Sequence, residues 1–192
     1  MDSVTEYENN ANDYLRGRDE SLVGYKVIRQ WASKLPVGSE VIEIACGGGY
    51  PVTRELVESG LKLWAIDSSK TLLSKFQKRF PDVESKCERV QDSNFFDRKF
   101  DAAIAIGLIF LLPEPEQVEL IKRISNILNP GGKFLFMAPT KTGKWLDLNT
   151  GIQCSSLGYD KYKEILSISG FQIISTIEDA GKNNYYDTEW LA

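Results

Sequence analysis

The sequence predicts an α/β fold: a doubly wound, mostly parallel seven-stranded sheet with helices on both faces and an antiparallel C-terminal hairpin. Three observations carry the prediction. Apolar, β-favouring runs alternate with segments of helical period along the chain. Four of those runs are almost continuously apolar, as parallel strands covered on both faces are. The last two are separated by too few residues for a crossover helix, so they must pair as a hairpin.

The elements follow in order. In Thr5–Asp19 the tyrosines Tyr7 and Tyr14 stand seven residues apart and share a helix face. Ser21–Leu35 places Leu22, Val23, Val27, Ile28, Trp31 and Leu35 on one helical stripe. Glu40–Ala45 reads as the first strand, and Pro51–Ser59 as a helix with its proline in the first turn. Leu61–Asp67 is the second strand. The helix Ser68–Phe80 opens on serines suited to capping, with Ser68 the expected cap. Glu84–Val90 and Phe100–Gly107 are the third and fourth strands. Glu114–Leu128 carries Val118, Ile121, Ile124, Ile127 and Leu128 on one stripe, with acids at its start. A Pro-Gly-Gly turn then feeds the fifth strand, Gly132–Pro139. Gly158–Gly170 is a helix closed by glycine. Phe171–Asp179 and Tyr185–Leu191 form the terminal hairpin. The chain reads as one domain, 1–192, with 1–36 as a helical cap and 37–192 as sheet and helices.

Bulk properties restrict function. At 192 residues and 42% hydrophobic content the chain can bury a sizeable core. A net charge of -4 opposes broad nucleic-acid binding, which needs a basic face. The longest uncharged apolar run, Ala102–Leu112, is too short to span a bilayer, which takes roughly 20 residues. Neither a nucleic-acid nor a membrane partner is expected. The polar, acidic N-terminus is not read as a signal peptide. Three scattered cysteines without a CxxC pair fit the cytoplasm and offer no metal site. The chain has no histidine. That removes His-based nucleophile triads and the usual imidazole base, leaving carboxylates, tyrosines or an already activated reagent.

The sharpest local signal is "EVIEIACGGGYP", Glu40–Pro51. A glycine run directly after a strand marks a place where something approaches the backbone. In an open α/β sheet that place is a ligand site. The dinucleotide pattern G-x-G-x-x-G/A is met at Gly47 and Gly49 but Val52 stands where its third small residue belongs. A phosphate loop needs Gly-Lys-Ser/Thr, which is absent. Asp67 closes the second strand about twenty residues on, the spacing of an acid that binds ribose hydroxyls.

"EIACGGG" resembles the first motif of the class I S-adenosylmethionine-dependent methyltransferases, of small single-domain type. Glu43 matches the acid and Gly47 and Gly49 the second and third glycines, while Ala45 replaces the first. "VQDSNF", "FDAAIAIGLIFLL" and "LNPGGKFLF" resemble further motifs, and the likeness runs from about residue 37 onward. It implies a Rossmann-like methyltransferase fold that binds S-adenosyl-L-methionine, releases S-adenosyl-L-homocysteine and needs no metal. Carried over residue by residue, it assigns the cofactor to Glu43, Ala45, Cys46, Gly47 and Gly49 in the loop. Asp67 and Ser68 would meet the ribose, Asp92 and Ser93 the adenine edge, and Ile106 and Gly107 the reacting end. Arg18 would meet the cofactor carboxylate. Tyr7, Tyr14, Trp145, Tyr185 and Tyr186 are candidates for lining the active site. The expected reaction is in-line methyl transfer to a small-molecule acceptor. A binding protein that keeps the cofactor without catalysis, and a nicotinamide-dependent reductase, remain as rival readings.

Overall fold

The computed structural model describes residues 3–148 and 150–191. Met1, Asp2, Asn149 and Ala192, which the range 1–192 includes, lie outside the described residues. The chain runs α1 (Ser3–Asn9), α2 (Ala11–Glu20), α3 (Tyr25–Ala32), β1 (Glu40–Ile44), α4 (Val52–Glu58), β2 (Lys62–Asp67), α5 (Lys70–Arg79) and β3 (Glu84–Cys87). It continues through β4 (Phe100–Ala105), α6 (Glu114–Ile127), β5 (Leu128–Met137), β6 (Gly143–Leu146), β7 (Gln153–Ser156), α7 (Tyr159–Ile168), β8 (Phe171–Glu178) and β9 (Asn184–Trp190).

Seven strands form one sheet in the order β3-β2-β1-β4-β5-β9-β8. The four pairings among β1 to β5 are parallel, and β9 lies antiparallel to both β5 and β8. The predicted seven strands and hairpin are therefore present. Alternation along each strand sorts the core into two layers. Ile42 and Ile44 of β1 face the layer that holds Leu120, Ile121 and Ile124 of α6 and Ile165 of α7. Val41 faces the opposite layer, with Val27, Ile28 and Trp31 of α3 and Leu56 of α4. The strand order reverses between β1 and β4, so a crevice opens at their carboxyl ends.

Several expectations need correction. The N-terminal segment is two helices divided at Asn10, not one. Leu22 and Val23 are exposed outside α3, because Gly24, at φ 86, starts that helix later. Pro51 precedes α4 as its N-cap instead of entering its first turn. The cap of α5 is Ser69, whose hydroxyl accepts the Leu72 N–H at 3.1 Å, and not Ser68. β3 stops at Cys87, three residues early. The Pro-Gly-Gly segment lies within β5 as a register shift against β4. The stretch after β5, read as a loop, contains the antiparallel pair β6–β7.

Candidate functional site

The glycine loop begins where β1 ends. Ala45 takes φ 60, a left-handed conformation that costs a residue with a Cβ about 1–2 kcal/mol. That strain is the physical reason a glycine suits the position better. Gly47 (φ 56) and Gly49 (φ 87) share this conformation. The three glycines answer to different neighbours. A Cβ on Gly48 would stand 2.3 Å from Leu15 Cδ2 of α2, and one on Gly49 would stand 2.3 Å from Phe80 Cε2. Their bareness serves the packing of the protein against itself. Gly47 faces the crevice, where a Cβ would meet only the Tyr14 ring, at 3.4 Å.

Asp67 joins β2 to this loop. One carboxylate oxygen accepts the Gly47 N–H at 2.8 Å and the other accepts the Ser69 N–H at 2.8 Å. Burial raises the Asp67 pKa, and the backbone N–H donors of Ser69, Gly47 and Ser68 pull against that rise. A carboxylate offers about four acceptor directions, so acceptor capacity remains for a ligand. Behind the loop, Glu43 is buried and accepts the Thr53 hydroxyl hydrogen at 2.7 Å. Burial pushes its pKa up to about 8, and the Asp67 charge adds to the rise. The Cys46 thiol is likewise raised by burial.

The N-terminal helices lie across the crevice and are fastened to α5 at both ends. The Glu8 carboxylate accepts the Ser69 hydroxyl hydrogen, the Thr71 hydroxyl hydrogen at 2.6 Å and the Thr71 N–H at 3.2 Å. It thus supplies an N-terminal cap from another helix. At the other end Arg79 pairs with Asp19 of α2, donates to the Gly48 carbonyl at 2.9 Å, and lies 4.3 Å from the Tyr50 ring centre. Tyr7 and Tyr14 meet edge to face with centroids 5.5 Å apart.

Two cavities, of 50 and 60 Å³, flank Asp67 beneath α1. Ala45, Asp67 and Ser68 line both. Gly47, Ile106, Gly107, Tyr7 and Tyr14 line the larger, and Glu88, Val90 and Gln91 the smaller. A Cβ on Gly107 would meet nothing within 4 Å, so open space adjoins it. A third cavity, of 320 Å³, lies at the carboxyl end of β5 between Phe110, Pro139, Trp145, Asp147 and Asn184. Phe110 and Trp145 pair with centroids 5.5 Å apart. Tyr7 links the regions: burial and the neighbouring Asp147 carboxylate, to which it hydrogen-bonds, raise its pKa and keep it protonated. A larger hollow, of 860 Å³, lies between β6–β7 and the start of α6 and touches none of the predicted site residues.

The predicted residues therefore divide. Ala45, Gly47, Asp67, Ser68, Ile106, Gly107, Tyr7 and Tyr14 come together. Glu43, Cys46 and Gly49 stand behind them in the packing. Arg18 makes no ion pair among the described residues, and its charge acts on both Tyr14 and Glu43. Asp92 is exposed, while the buried Ser93 hydroxyl donates to Glu88 and accepts the Phe95 N–H at 2.9 Å. Neither lines the cavities. Trp145 lines the third cavity alone of the five tyrosine and tryptophan candidates. Tyr185 and Tyr186 do not face any of these cavities. The Tyr185 hydroxyl donates to Asp179 at 2.8 Å, and Tyr186 stacks on Phe136 with centroids 4.7 Å apart in the core. Sequence reading missed Val90, Gln91, Phe110 and Asp147. The first three lie inside the motifs "VQDSNF" and "FDAAIAIGLIFLL", whose neighbouring residues were assigned instead.

Residues 41–132 match the family described as methyltransferase domain. A tRNA U34 carboxymethyltransferase of Nautilia profundicola is 29% identical over 100 residues, which are 50% of this chain and 33% of that protein. A ubiquinone biosynthesis O-methyltransferase of Coxiella burnetii is 23% identical over 103 residues, 52% of this chain and 43% of that protein. The chain thus spans less than half the length of these curated relatives. Among solved structures, magnesium protoporphyrin IX methyltransferase of Synechocystis PCC 6803 with bound S-adenosylmethionine superposes with a TM-score of 0.74 at 13% identity, covering 98% of this chain and 97% of that one. A glycopeptide N-methyltransferase complexed with the same compound gives 0.72 at 19% identity, covering 88% and 94%. No helix among the described residues is long and apolar enough to cross a membrane, and none of their His, Cys, Asp and Glu side chains group as a metal site. Residues 41–132 thus match the methyltransferase-domain family, and the chain has the fold of these solved S-adenosylmethionine-dependent methyltransferases.

Proposed function

We propose that the protein transfers a methyl group from S-adenosylmethionine to a small-molecule acceptor. One observation carries the reading: an acid at the end of β2 reaches back to the N–H of a cleft-facing glycine at the end of β1. The residues fit this cofactor. Gly47 and Gly107 leave bare main chain against the cleft, and Asp67 keeps acceptor capacity for ribose hydroxyls. The Arg18 guanidinium is available for a carboxylate. Ligand sites usually enclose roughly 300–1,000 Å³, far more than the two cavities beside Asp67 provide. Ser3, Val4 and Tyr7 of α1 wall the larger of them, so α1 moves outward when the cleft fills.

When bound, the cofactor supplies an already electrophilic methyl carbon, so a histidine base is not required. The chain's task is to hold the acceptor in line and exclude water. Tyr7 and Leu108 wall the cavity beside Asp67, and Phe110 and Trp145 wall the outer cavity. Asp147 is the carboxylate placed to take a proton from a hydroxyl or protonated amine. A cavity of 320 Å³ suits a small acceptor, and the net charge of -4 disfavours a polynucleotide.

Calorimetry tests the cofactor. S-adenosylhomocysteine is expected to bind and NADH is not; the reverse result would overturn the reading. Asp67→Ala is expected to weaken S-adenosylhomocysteine by about 1–3 kcal/mol, the value of a charge-assisted pair of hydrogen bonds. Unchanged affinity in a folded variant would remove Asp67 from the site. Turnover on an acceptor panel that includes tRNA then decides the acceptor class. Tight cofactor binding with no turnover on any acceptor would favour a non-catalytic binding protein.

A further inference from the structure

Three segments meet at the cavity beyond the carboxyl end of β5. Phe110 comes from the stretch after β4, Trp145 from β6, and Asp147 stands two residues further on. In extended chain such a pair shares one side. The Asp147 N–H donates to the Ile152 carbonyl at 2.8 Å, which prolongs the β6–β7 pairing to that residue. The Asp147 carboxylate is fixed in place, because its Oδ1 accepts the Thr150 N–H at 2.9 Å and the Thr150 hydroxyl hydrogen at 2.7 Å. The Tyr7 hydroxyl is hydrogen-bonded to the same carboxylate. Tyr7 also walls the cavity beside Asp67 and Gly107, so one side chain separates Asp147 from the cofactor cleft. The Phe110 and Trp145 rings, tilted by 48°, line the same outer cavity as Asp147.

Methyl transfer moves charge, and where the charge goes depends on the acceptor. With an amine, the nitrogen lone pair forms the new C–N bond, the C–S bond breaks, and its electron pair stays on sulfur. The positive charge passes from sulfur to nitrogen. A protonated amine first releases one proton through Asp147 to solvent, and the methylated product sheds its own proton to water later. With a hydroxyl, the oxygen gives up its proton and the product is neutral. A carboxylate beside aromatic rings stabilises a cation arriving on nitrogen. Hydrogen counting points the same way. Tyr7 gives its one hydroxyl hydrogen to Asp147, so its oxygen, like the carboxylate, can only accept. A primary amine brings an N–H for each and keeps its lone pair for the methyl carbon, whereas a hydroxyl brings a single hydrogen. Lys182 lines the same cavity from the exposed turn between β8 and β9, where solvent screens its charge. An anionic acceptor would gain that screened cation and meet the Asp147 carboxylate.

We propose that Phe110, Trp145, Asp147 and Tyr7 enclose an amine, so that the acceptor atom is nitrogen. This inference rests on the cofactor reading above and narrows its small-molecule acceptor to amines. Asp147 and the Tyr7 oxygen hold the N–H groups, and the Phe110 and Trp145 rings cover the carbon skeleton and the adjoining positive charge.

The test titrates three probes of one skeleton, benzylamine, benzyl alcohol and benzoate, into the full chain saturated with S-adenosylhomocysteine, by calorimetry at pH 8. Benzylamine is expected to bind about tenfold or more tightly than benzyl alcohol, and benzoate more weakly than either. Asp147→Asn is expected to bring the amine-to-alcohol ratio close to one, and Trp145→Leu to lower it severalfold. Both variants should keep the native affinity for S-adenosylhomocysteine, because neither side chain lines the cavities beside Asp67. A structural role alone would weaken all three probes together and leave the ratio intact; that result in Asp147→Asn overturns the proposal. A native protein that favours the alcohol or benzoate, or that fails to bind benzylamine, also overturns it. Absence of S-adenosylhomocysteine binding by the native protein is a different outcome and refutes the cofactor reading; the same three probes on the unloaded chain then still decide whether the cavity selects an amine.

Discussion

Gly49→Ala is expected to destabilise the protein by about 2–5 kcal/mol, more than alanine at either of its glycine neighbours. Two costs add. The backbone at φ 87 is unfavourable for a residue with a Cβ, by roughly 1–2 kcal/mol. The new methyl would also stand 2.3 and 2.9 Å from Phe80 ring atoms and 3.2 Å from the Phe76 ring. Overpacking of that kind costs about 1–3 kcal/mol. The rings have little room to retreat, because Phe76 is fully buried and the Phe76 and Phe80 centroids are 5.3 Å apart. Gly48→Ala meets the far end of the flexible Leu15 side chain, which can turn aside. Gly47→Ala meets one ordinary contact and bears the conformational cost alone, but it intrudes on the cleft. Urea unfolding of the three variants should rank Gly49→Ala as the least stable. Calorimetry should single out Gly47→Ala for loss of S-adenosylhomocysteine affinity relative to stability. A Gly49→Ala protein within about 1 kcal/mol of the native one would show that the loop does not pack on Phe80 as described.

The same loop shows how far a sequence can be read. Its strand was legible because Val41, Ile42 and Ile44 are buried on both faces of the sheet, which leaves a continuous apolar run. Its opening toward a ligand was legible because Asp67 lies at the matching end of the neighbouring strand. The separate duties of the three glycines were not, because Leu15 and Phe80 reach them from distant positions in the chain. The terminal tyrosines misled for a related reason. Tyr185 and Tyr186 follow a polar turn, yet alternation in β9 and the pairing with β5 carry both rings into the core. In the sequence Arg123 is one of two neighbouring cations on an amphipathic helix. Only the folded loop after β3 reveals that three carbonyls, of Val90, Gln91 and Ser93, converge on it. The short β6–β7 pair escaped notice because Lys144, Trp145 and Leu146 are half-buried or exposed, and no strong apolar alternation marks them.

Glu43→Gln is expected to stabilise the protein at alkaline pH and to leave its stability nearly unchanged near pH 4. Burial pushes the Glu43 carboxyl up to about 8 in the folded chain, against an ordinary value of 4.5. Between those two values the folded state holds a proton that the unfolded state has released. Stability then falls as pH rises, since it rises with pH only where the unfolded state binds more protons. The loss begins above pH 4.5 and is complete once the folded group has ionised, above about pH 8. At 1.36 kcal/mol per pH unit the full interval is worth on the order of 4–5 kcal/mol. Relaxation and water entry reduce such penalties in real interiors, which leaves about 2–4 kcal/mol. The charges facing the group are mixed: Asp67 on β2 raises its pKa and Arg18 on α2 lowers it. Glutamine keeps an oxygen to accept the Thr53 hydroxyl hydrogen but has no proton to lose. Urea unfolding at pH 5, 7 and 9 should show the variant's advantage widening with pH and levelling off above pH 8. Parallel curves for the two proteins would place Glu43 in a solvated setting and contradict the buried acid beneath the glycine loop.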